Sequence, residues 1–266
     1  MDATLPDTAD SLAWVKPYYT RAGEYWAPHG IEERERDRAA TLPRLCGPPP
    51  KRVLELGAGT GETAAATADA GYDVTAIEFS PTRALHLRAH AQQRADQTVR
   101  GSLTALEADF YDVSLPGVFD VVCYWDGFGV GSDADQRRLL RHIASEWLAP
   151  GGSVLVDVFN PYRWAAEAGN ELVFDRNHES HLYRQRRRFG FDFAAGCFLD
   201  EWCPIGDETG VCDESRAITQ RIRCYNPADL RLLLEGTGLS LRATEGAGER
   251  DAWSYLALLT PAGANR

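Results

Sequence analysis

The sequence predicts an α/β fold in which a mainly parallel β-sheet is covered by helices. From Arg52 onward, short apolar runs typical of buried strands alternate with longer stretches typical of amphipathic helices. The chain has 266 residues, of which 44% are apolar. One domain with a sizeable core, or one domain that carries an insertion, therefore accounts for its length.

The region before this alternating pattern, residues 1–50, is predicted to form short helices. The stretch 14–26 is rich in aromatic side chains, and the stretch 31–45 has apolar residues spaced along a charged helix. A glycine and three prolines, Gly47-Pro48-Pro49-Pro50, then end the helix and act as a stiff spacer.

The alternating region predicts five strands and three helices. We place the strands at 53–56, 74–79, 103–108, 119–125 and 153–159, and the helices at 62–70, 82–95 and 134–147. The last helix is expected to end at Ala149-Pro150-Gly151-Gly152, because proline and glycine break helices and turn the chain.

Residues 171–225 interrupt the alternation and are predicted to form a small antiparallel sheet, laid over the active end of the main sheet. Its strands are expected at 181–193, 198–203 and 215–224. The chain then returns to the main sheet through a helix at 227–235, with Asn226 as its N-cap, and two final strands at 239–244 and 253–259.

Composition and charge argue against several partners. The formal net charge of −11 works against binding to nucleic acid or to anionic membranes. Residues 1–10 do not resemble a signal peptide, and no stretch is apolar enough to span a bilayer, so we expect a cytoplasmic protein with reduced cysteines. The six cysteines form no C-x-x-C pair, and we expect no metal.

A glycine-rich turn with Gly57, Gly59 and Gly61 joins the first strand to a helix. Such a turn brings backbone N–H groups close to a ligand, because glycine has no Cβ. A dinucleotide fingerprint would place its third glycine where Glu62 stands, and a carboxylate there repels a pyrophosphate. Glu55, on the strand, also suits an ammonium or sulfonium better than a phosphate. The turn therefore favours a ligand that has a ribose and a positive centre but no phosphate.

Side chains at the ends of the next two strands complete a nucleoside site. Glu78 lies about 20 residues beyond the glycines, where a carboxylate can accept hydrogen bonds from both ribose hydroxyls. Phe79 can pack against an adenine. Asp109 can accept a hydrogen bond from the adenine amino group while Phe110 flanks the ring.

Five motifs occur in order between residues 52 and 159: Glu55-Leu56-Gly57-Ala58-Gly59-Thr60-Gly61, Glu78, Ala108-Asp109-Phe110, Phe119-Asp120-Val121-Val122 and Trp147-Leu148-Ala149-Pro150-Gly151-Gly152. In these motifs the chain resembles a class I S-adenosylmethionine-dependent methyltransferase of the small-molecule type. The two final strands extend the similarity to residue 259. The alternatives are a nicotinamide-binding Rossmann domain and a relative without enzymatic activity.

The resemblance implies a Rossmann-like sheet of seven strands in the order 3-2-1-4-5-7-6, with helices on both faces and the last inserted strand antiparallel. It implies an N-terminal helical lid at 1–50, a cofactor-binding domain at 51–170 and 226–266, and an inserted antiparallel β cap at 171–225. It also implies S-adenosylmethionine as the cofactor. The residues expected to bind it are Tyr19, Glu55, Gly57, Ala58, Gly59, Gly61, Glu78, Phe79, Asp109, Phe110 and Tyr124.

Methyl transfer needs few side chains, because the sulfonium already activates the methyl carbon and the protein mainly aligns the acceptor and takes up a proton. Asp126 is expected to orient or deprotonate an amine or hydroxyl, although an aspartate before glycine is also an ordinary turn residue. Tyr19 or Arg21, in the lid, is expected to reach the methionine carboxylate, and His29 is a candidate base. The candidate catalytic residues are therefore Asp126, His29 and Tyr19.

Other polar groups have simpler interpretations. His86 and His90 share a helix face that is more typical of a solvated surface than of a metal site. His178 and His181 open the insertion, as surface-loop residues or as part of the acceptor site. The arginines at 184–188 alternate along a strand, where they pair with the acidic residues at 200–201 or bind an acidic substrate.

The sequence therefore predicts N- or O-methylation of a small metabolite, and the resemblance suggests the tailoring of a natural product as its setting. The same fold and cofactor also serve other reactions, such as aminocarboxypropyl transfer, cyclisation or a pericyclic step. A cofactor-binding partner protein without turnover is a third alternative. The sequence is compatible with both a monomer and a homodimer.

Overall fold

The computed structural model describes residues 12–23, 25, 29–95, 100–176, 181–207 and 209–263. None of the helices in these ranges is long and apolar enough to cross a membrane. The elements in chain order are α1 (Val15–Ala22), α2 (Glu33–Leu45), β1 (Arg52–Leu56), α3 (Glu62–Asp69), β2 (Asp73–Glu78), α4 (Pro81–Ala95), β3 (Ser102–Glu107), β4 (Phe119–Phe128), α5 (Asp133–His142), β5 (Leu148–Phe159), α6 (Pro161–Glu167), β6 (Glu171–Phe174), β7 (Gln185–Asp192), β8 (Cys197–Pro204), β9 (Ile218–Arg223), α7 (Pro227–Leu234), β10 (Leu239–Glu245) and β11 (Ser254–Pro261).

Seven strands form the main sheet, in the order β3-β2-β1-β4-β5-β11-β10. Strands β1 to β5 are parallel to one another, and β11 runs antiparallel to both β5 and β10. The predicted order and the antiparallel strand are confirmed. The strand order reverses between β1 and β4, and ligands of such sheets bind at this point, beyond the carboxyl ends of the strands.

Helices cover both faces of the main sheet and bury alternate side chains of its strands. Leu54 and Leu56 belong to the cluster that packs against α5 and α7. Val53 belongs to the opposite cluster, together with Leu42 of α2 and Leu87 of α4. Successive side chains of a strand point to opposite faces of the sheet. The side chain of Glu55, between Leu54 and Leu56, therefore projects toward α2, α3 and α4.

Strands β6 to β9 form a second, antiparallel sheet in consecutive order, which confirms the predicted insertion. The edge strand β6 was not predicted, because three of its four residues are exposed and it has no buried alternation. Trp164 of α6 stacks on Phe198 of this sheet at a ring distance of 3.8 Å. On the other side, Trp202 and Ile218 pack against Tyr18 of α1.

The arginines of β7 pair within this small sheet. Arg187 donates to the two carboxylate oxygens of Asp200 at 2.7 and 3.0 Å. Arg186 and Arg188 both pair with Glu201, at 2.9 and 3.4 Å. The interpretation of these arginines as cross-strand ion pairs is therefore confirmed.

The helix predicted at 134–147 is divided into two parts. The α-helix ends at His142, and Ile143–Trp147 forms one π-helical turn. The sequence pattern predicts one continuous α-helix here. Ile143 and Trp147 are both buried in the main core, and this packing accounts for the π-helical turn.

The turn predicted at Ala149-Pro150-Gly151-Gly152 lies inside β5. The neighbouring strand β4 pairs with residues on both sides of it, since Phe119 is opposite Leu148 and Val121 is opposite Ser153. The four turn residues are accommodated as an irregularity in the pairing, where a strand boundary was expected.

Candidate active site

A cavity of about 900 Å³ opens at the carboxyl edge of the main sheet, bordered by α1 and α2. Ligand cavities typically measure about 300–1,000 Å³, so this one has room for a cofactor and a small acceptor. Gly61 is the one candidate site residue that does not line it. The candidates that do are Tyr19, His29, Glu55, Gly57, Ala58, Gly59, Glu78, Phe79, Asp109, Phe110, Tyr124 and Asp126.

The glycine turn forms one wall of the cavity. Gly57 and Gly59 both have φ of 60°, a conformation that side-chain-bearing residues rarely adopt, and a Cβ at Gly59 would meet no atom within 4 Å. The backbone of Gly59 is therefore open to a ligand. Gly61 has a different role, because a Cβ there would lie 2.6 Å from Leu87 Cδ1. Gly61 allows the start of α3 to pack closely against α4.

Glu78, the last residue of β2, presents a carboxylate that the backbone already holds in place. Its Oε2 accepts a hydrogen bond from the Gly59 N–H at 2.9 Å, and its Oε1 accepts one from the Ser80 N–H at 2.8 Å. Burial raises the pKa of Glu78, while the charge of Arg83 and these N–H groups act in the opposite direction. Each carboxylate oxygen keeps a further lone pair, so two ribose hydroxyls can also donate to it.

Glu55 is a buried acid that faces the cavity. Glu55 is 3% exposed and lines the cavity. Burial raises the pKa of Glu55 to about 8, and the charge of Glu62 adds to this effect while that of Arg38 opposes it. Because a nearby cation favours the ionised form of an acid, this carboxyl suits a ligand with a positive centre.

Tyr19 of α1 lies across the cavity from the end of β2. Its ring meets Phe79 edge-on at 6.0 Å, and the Arg83 guanidinium lies 5.3 Å from its ring centre. Burial raises the pKa of Tyr19 to about 12, so its hydroxyl stays protonated and can donate a hydrogen bond. Tyr19 is therefore positioned to close the cavity over a bound nucleoside.

Asp109 and Phe110 stand together after β3. The Asp109 Oδ1 accepts a hydrogen bond from the Tyr111 N–H at 2.9 Å, which leaves Oδ2 for a ligand. Phe110 meets Tyr124 edge-on at 5.6 Å, and both rings line the cavity. This arrangement fits the flank of an adenine ring with an acceptor at its edge.

Asp126 stands in a break of the pairing between β4 and β5, which resumes only at Phe128. Its φ is 54°, in the left-handed region that residues with a side chain rarely adopt outside functional sites and turns. The side chain is 50% exposed and lines the cavity. Desolvation favours its neutral form, but the charge and hydrogen bond of Arg38 outweigh this and hold the pKa of Asp126 below its usual range.

Arg38 of α2 links Asp126 to a carboxylate that sequence reasoning missed. Its Nη2 lies 2.7 Å from Asp126 Oδ1 and 3.2 Å from Asp157 Oδ2, and its guanidinium lies 5.2 Å from the Trp125 ring centre. The sequence did contain one indication of Asp157, because it is a single carboxylate within the otherwise apolar second half of β5.

His29 also lines the cavity, and its Nδ1 lies 4.0 Å from Glu32 Oε1. His29, Glu32 and Glu35 are close enough for their ligand atoms to hold a metal ion. Glu35 is already used, however, because it accepts hydrogen bonds from the Glu32 N–H and the Arg34 Nε. His29 therefore stays a candidate base.

The other polar and aromatic residues that the sequence analysis considered are divided between the cavity and the rest of the fold. Arg21 donates a hydrogen bond to the Ser215 carbonyl oxygen and does not line the cavity. Tyr19 is therefore better placed than Arg21 to reach the methionine carboxylate of the cofactor. His86 lines the cavity, whereas His90 does not. His181 is buried and its ring meets the rings of Phe174 and Trp202 of the small sheet. Trp26, the last aromatic residue of the stretch 14–26, and His178 lie outside the described residues.

Comparisons with known proteins agree with this architecture. The profile of a family described as a methyltransferase domain matches residues 31–244. The cypemycin N-terminal methyltransferase of Streptomyces sp is 33% identical over 122 residues, which are 45% of this chain and 46% of that protein. The demethylmenaquinone methyltransferase of Thermus thermophilus is 33% identical over 135 residues, 50% of this chain and 57% of that protein. The chain spans about half the length of the curated relatives it matches.

Among solved structures, the CcbJ methyltransferase of Streptomyces caelestis is similar, with a TM-score of 0.72 and 21% identity over 89% of this chain and 99% of that one. At this identity the likeness concerns the fold. The family match covers most of the chain, and the chain belongs to the class I S-adenosylmethionine-dependent methyltransferases. The expected family and its cofactor are thereby confirmed.

Proposed function

We propose that this chain transfers the methyl group of S-adenosylmethionine to a small metabolite and that the acceptor atom is an amine nitrogen. The charge of the cavity supports a cationic acceptor. Carboxylates outnumber permanent cations along its walls, and such an excess attracts positively charged ligands. The carboxylates are Glu32, Glu35, Glu55, Glu62, Glu78, Glu107, Asp109 and Asp126, and the cations are Lys16, Arg34, Arg38 and Arg83.

The observation that carries the choice of nitrogen is the state of Asp126. Its pKa lies below the usual range, and its side chain is half exposed at the cavity. An ionised carboxylate binds an ammonium through charge-assisted hydrogen bonds. The same carboxylate is too weak a base to remove the proton of a neutral alcohol, so the site favours an amine over the hydroxyl that the sequence left open.

In this proposal, residues of the cavity bind the cofactor, shield it from water and orient the acceptor. When bound, S-adenosylmethionine supplies a methyl group that its positive sulfur already activates. Glu78 anchors the ribose, and Phe79 and Phe110 flank the adenine. Tyr19 shields the site from water, which strengthens the electrostatic interactions inside it. Asp126 binds and orients the acceptor nitrogen.

The names of the relatives support part of this proposal. The cypemycin relative is named as an N-terminal methyltransferase, which is consistent with a nitrogen acceptor. The demethylmenaquinone relative is named for a different acceptor. Tailoring of a natural product is the setting that we propose for this chain.

Matched pairs of acceptors test the proposal. The purified chain is incubated with S-adenosylmethionine and with amines and alcohols of the same skeleton, such as cyclohexylamine and cyclohexanol or glucosamine and glucose. Mass spectrometry should show methylated amines and S-adenosylhomocysteine. Methylation of the alcohols alone would overturn the choice of nitrogen. Release of methylthioadenosine would overturn methyl transfer, and cofactor binding without any product across the panel would favour a silent cofactor-binding protein.

A further inference from the structure

Asp126 and Asp157 come from the neighbouring parallel strands β4 and β5 and share one arginine. A single nitrogen of Arg38, Nη2, lies 2.7 Å from Asp126 Oδ1 and 3.2 Å from Asp157 Oδ2. Because both carboxyl groups lie within hydrogen-bond distance of the same nitrogen, they are close enough for the charge of each to affect the other. Their exposure differs, because the Asp126 side chain is 50% exposed at the cavity and the Asp157 side chain is 12% exposed behind it.

The surroundings of the pair favour a shared proton. Two carboxylates that flank one arginine nitrogen repel each other, and a single arginine does not neutralise both. Burial and the charge of Asp126 raise the pKa of Asp157 to about 6, while Arg38 keeps that of Asp126 low. The groups that face the pair are Arg34 and Arg38 from α2, Tyr19 from α1, Glu55 from β1 and the Ser254 hydroxyl from β11.

We propose that the two aspartates act as one proton acceptor, in which Asp126 faces the acceptor amine and Asp157, behind it, holds the proton. This inference rests on the proposed function, because it assumes an amine acceptor. The ammonium N–H bond breaks, and its proton passes through Asp126 to Asp157. The nitrogen lone pair then forms the C–N bond while the methyl–sulfur bond breaks and its electron pair stays on sulfur. The nitrogen gains the positive charge that the sulfur loses.

The pair resolves a difficulty that Asp126 alone presents. The ion pair with Arg38 stabilises the anion of Asp126 and so makes it a poor base. Asp157 titrates closer to neutral pH, which suits a group that must bind and release a proton during turnover. Asp157 does not line the cavity. It is therefore a positioning residue that acts through Asp126.

The titration of the pair is measurable in the whole chain without any acceptor. Aspartate labelled with ¹³C at the carboxyl group is followed by NMR, and the Asp157 resonance is assigned by its loss in Asp157→Asn. We expect a midpoint near pH 6, which falls by about one pH unit or more in Asp126→Asn because a repelling charge is removed. A midpoint near the ordinary value of about 4, unmoved by Asp126→Asn, would overturn the shared proton.

Kinetics test the role of the pair in the reaction, with an amine that the acceptor panel identifies. Asp157→Asn should lower kcat at pH 7 by about tenfold to a hundredfold and move the acid limb of the kcat profile to lower pH. The affinity for S-adenosylhomocysteine should not change. The control Asp120→Asn alters a carboxylate near the other end of β4, which accepts a hydrogen bond from the Arg52 N–H, and should keep the wild-type profile.

A loss of kcat that is equal at every pH, with the acid limb unmoved, would assign Asp157 a purely structural role and overturn the inference. Failure of every amine in the panel is a different result, because it contradicts the proposed function. The NMR midpoint of Asp157 then still decides whether the two aspartates share a proton.

Discussion

Replacement of Glu78 by alanine tests the proposed cofactor site at its most constrained residue. The carboxylate is 3% exposed, and two backbone N–H groups fix its orientation at the end of β2. Two ribose hydroxyls would donate to it in the complex. A hydrogen bond to a charged group contributes about 1.5–3 kcal/mol, and water replaces part of this in the variant. We therefore expect Glu78→Ala to weaken cofactor binding by about 1–3 kcal/mol, a dissociation constant about 5- to 150-fold higher.

Calorimetry with S-adenosylhomocysteine measures this change directly. The matched control is Asp73→Asn, which alters an exposed carboxylate at the other end of the same strand and should leave the affinity unchanged. Because Glu78→Ala also leaves the N–H groups of Gly59 and Ser80 without their acceptor, thermal unfolding must show that the variant is folded. Glu78→Gln keeps one acceptor oxygen as a second variant. Unchanged affinity in a folded Glu78→Ala protein would remove Glu78 from the site.

Two further predictions follow from the glycine turn and its strand. Because the pKa of Glu55 is about 8 in the free protein and a cation favours its ionised form, the affinity for S-adenosylmethionine, which carries the positive sulfur, should rise between about pH 6 and pH 8 and then level off. Calorimetry on Glu55→Gln should show this rise abolished, and a rise that persists would contradict the assignment. Gly61→Ala should lower the free energy of unfolding by about 1–3 kcal/mol, because φ is 98° and the new Cβ would lie 2.6 Å from Leu87 Cδ1. Urea unfolding measures this, with Gly59→Ala, which meets no atom within 4 Å, as the less costly control.

The sequence predicted those parts of the fold in which the local pattern of apolar residues matches the burial of those residues in the structure. Strand β1 contains the apolar residues Val53, Leu54 and Leu56 and is followed by the glycine turn, and its neighbours are those of the parallel arrangement. The positions of Glu78 and Asp109 at the cavity were predictable, because Glu78 ends β2 and Asp109 follows the end of β3 at the same edge of the sheet. Asn226 was predictable from its type and position, and its side chain does accept hydrogen bonds from the first turn of α7.

The parts that sequence did not predict depend on contacts between distant segments. Arg38 is 88 residues from Asp126 and 119 residues from Asp157, so no local pattern connects the three. The left-handed conformation of Asp126 comes from the break in the β4–β5 pairing, which the apolar run of β4 does not reveal. The π-helical turn Ile143–Trp147 likewise reflects packing against the sheet and not its own sequence.

A crystal structure of the chain soaked with S-adenosylhomocysteine tests the central claim most directly. We predict the nucleoside across the carboxyl edge of β1, β2 and β3, with its ribose hydroxyls on Glu78 and its sulfur directed toward Asp126. Crystals in which this crevice stays empty at saturating ligand, or in which it accepts a nicotinamide dinucleotide instead, would contradict the claim.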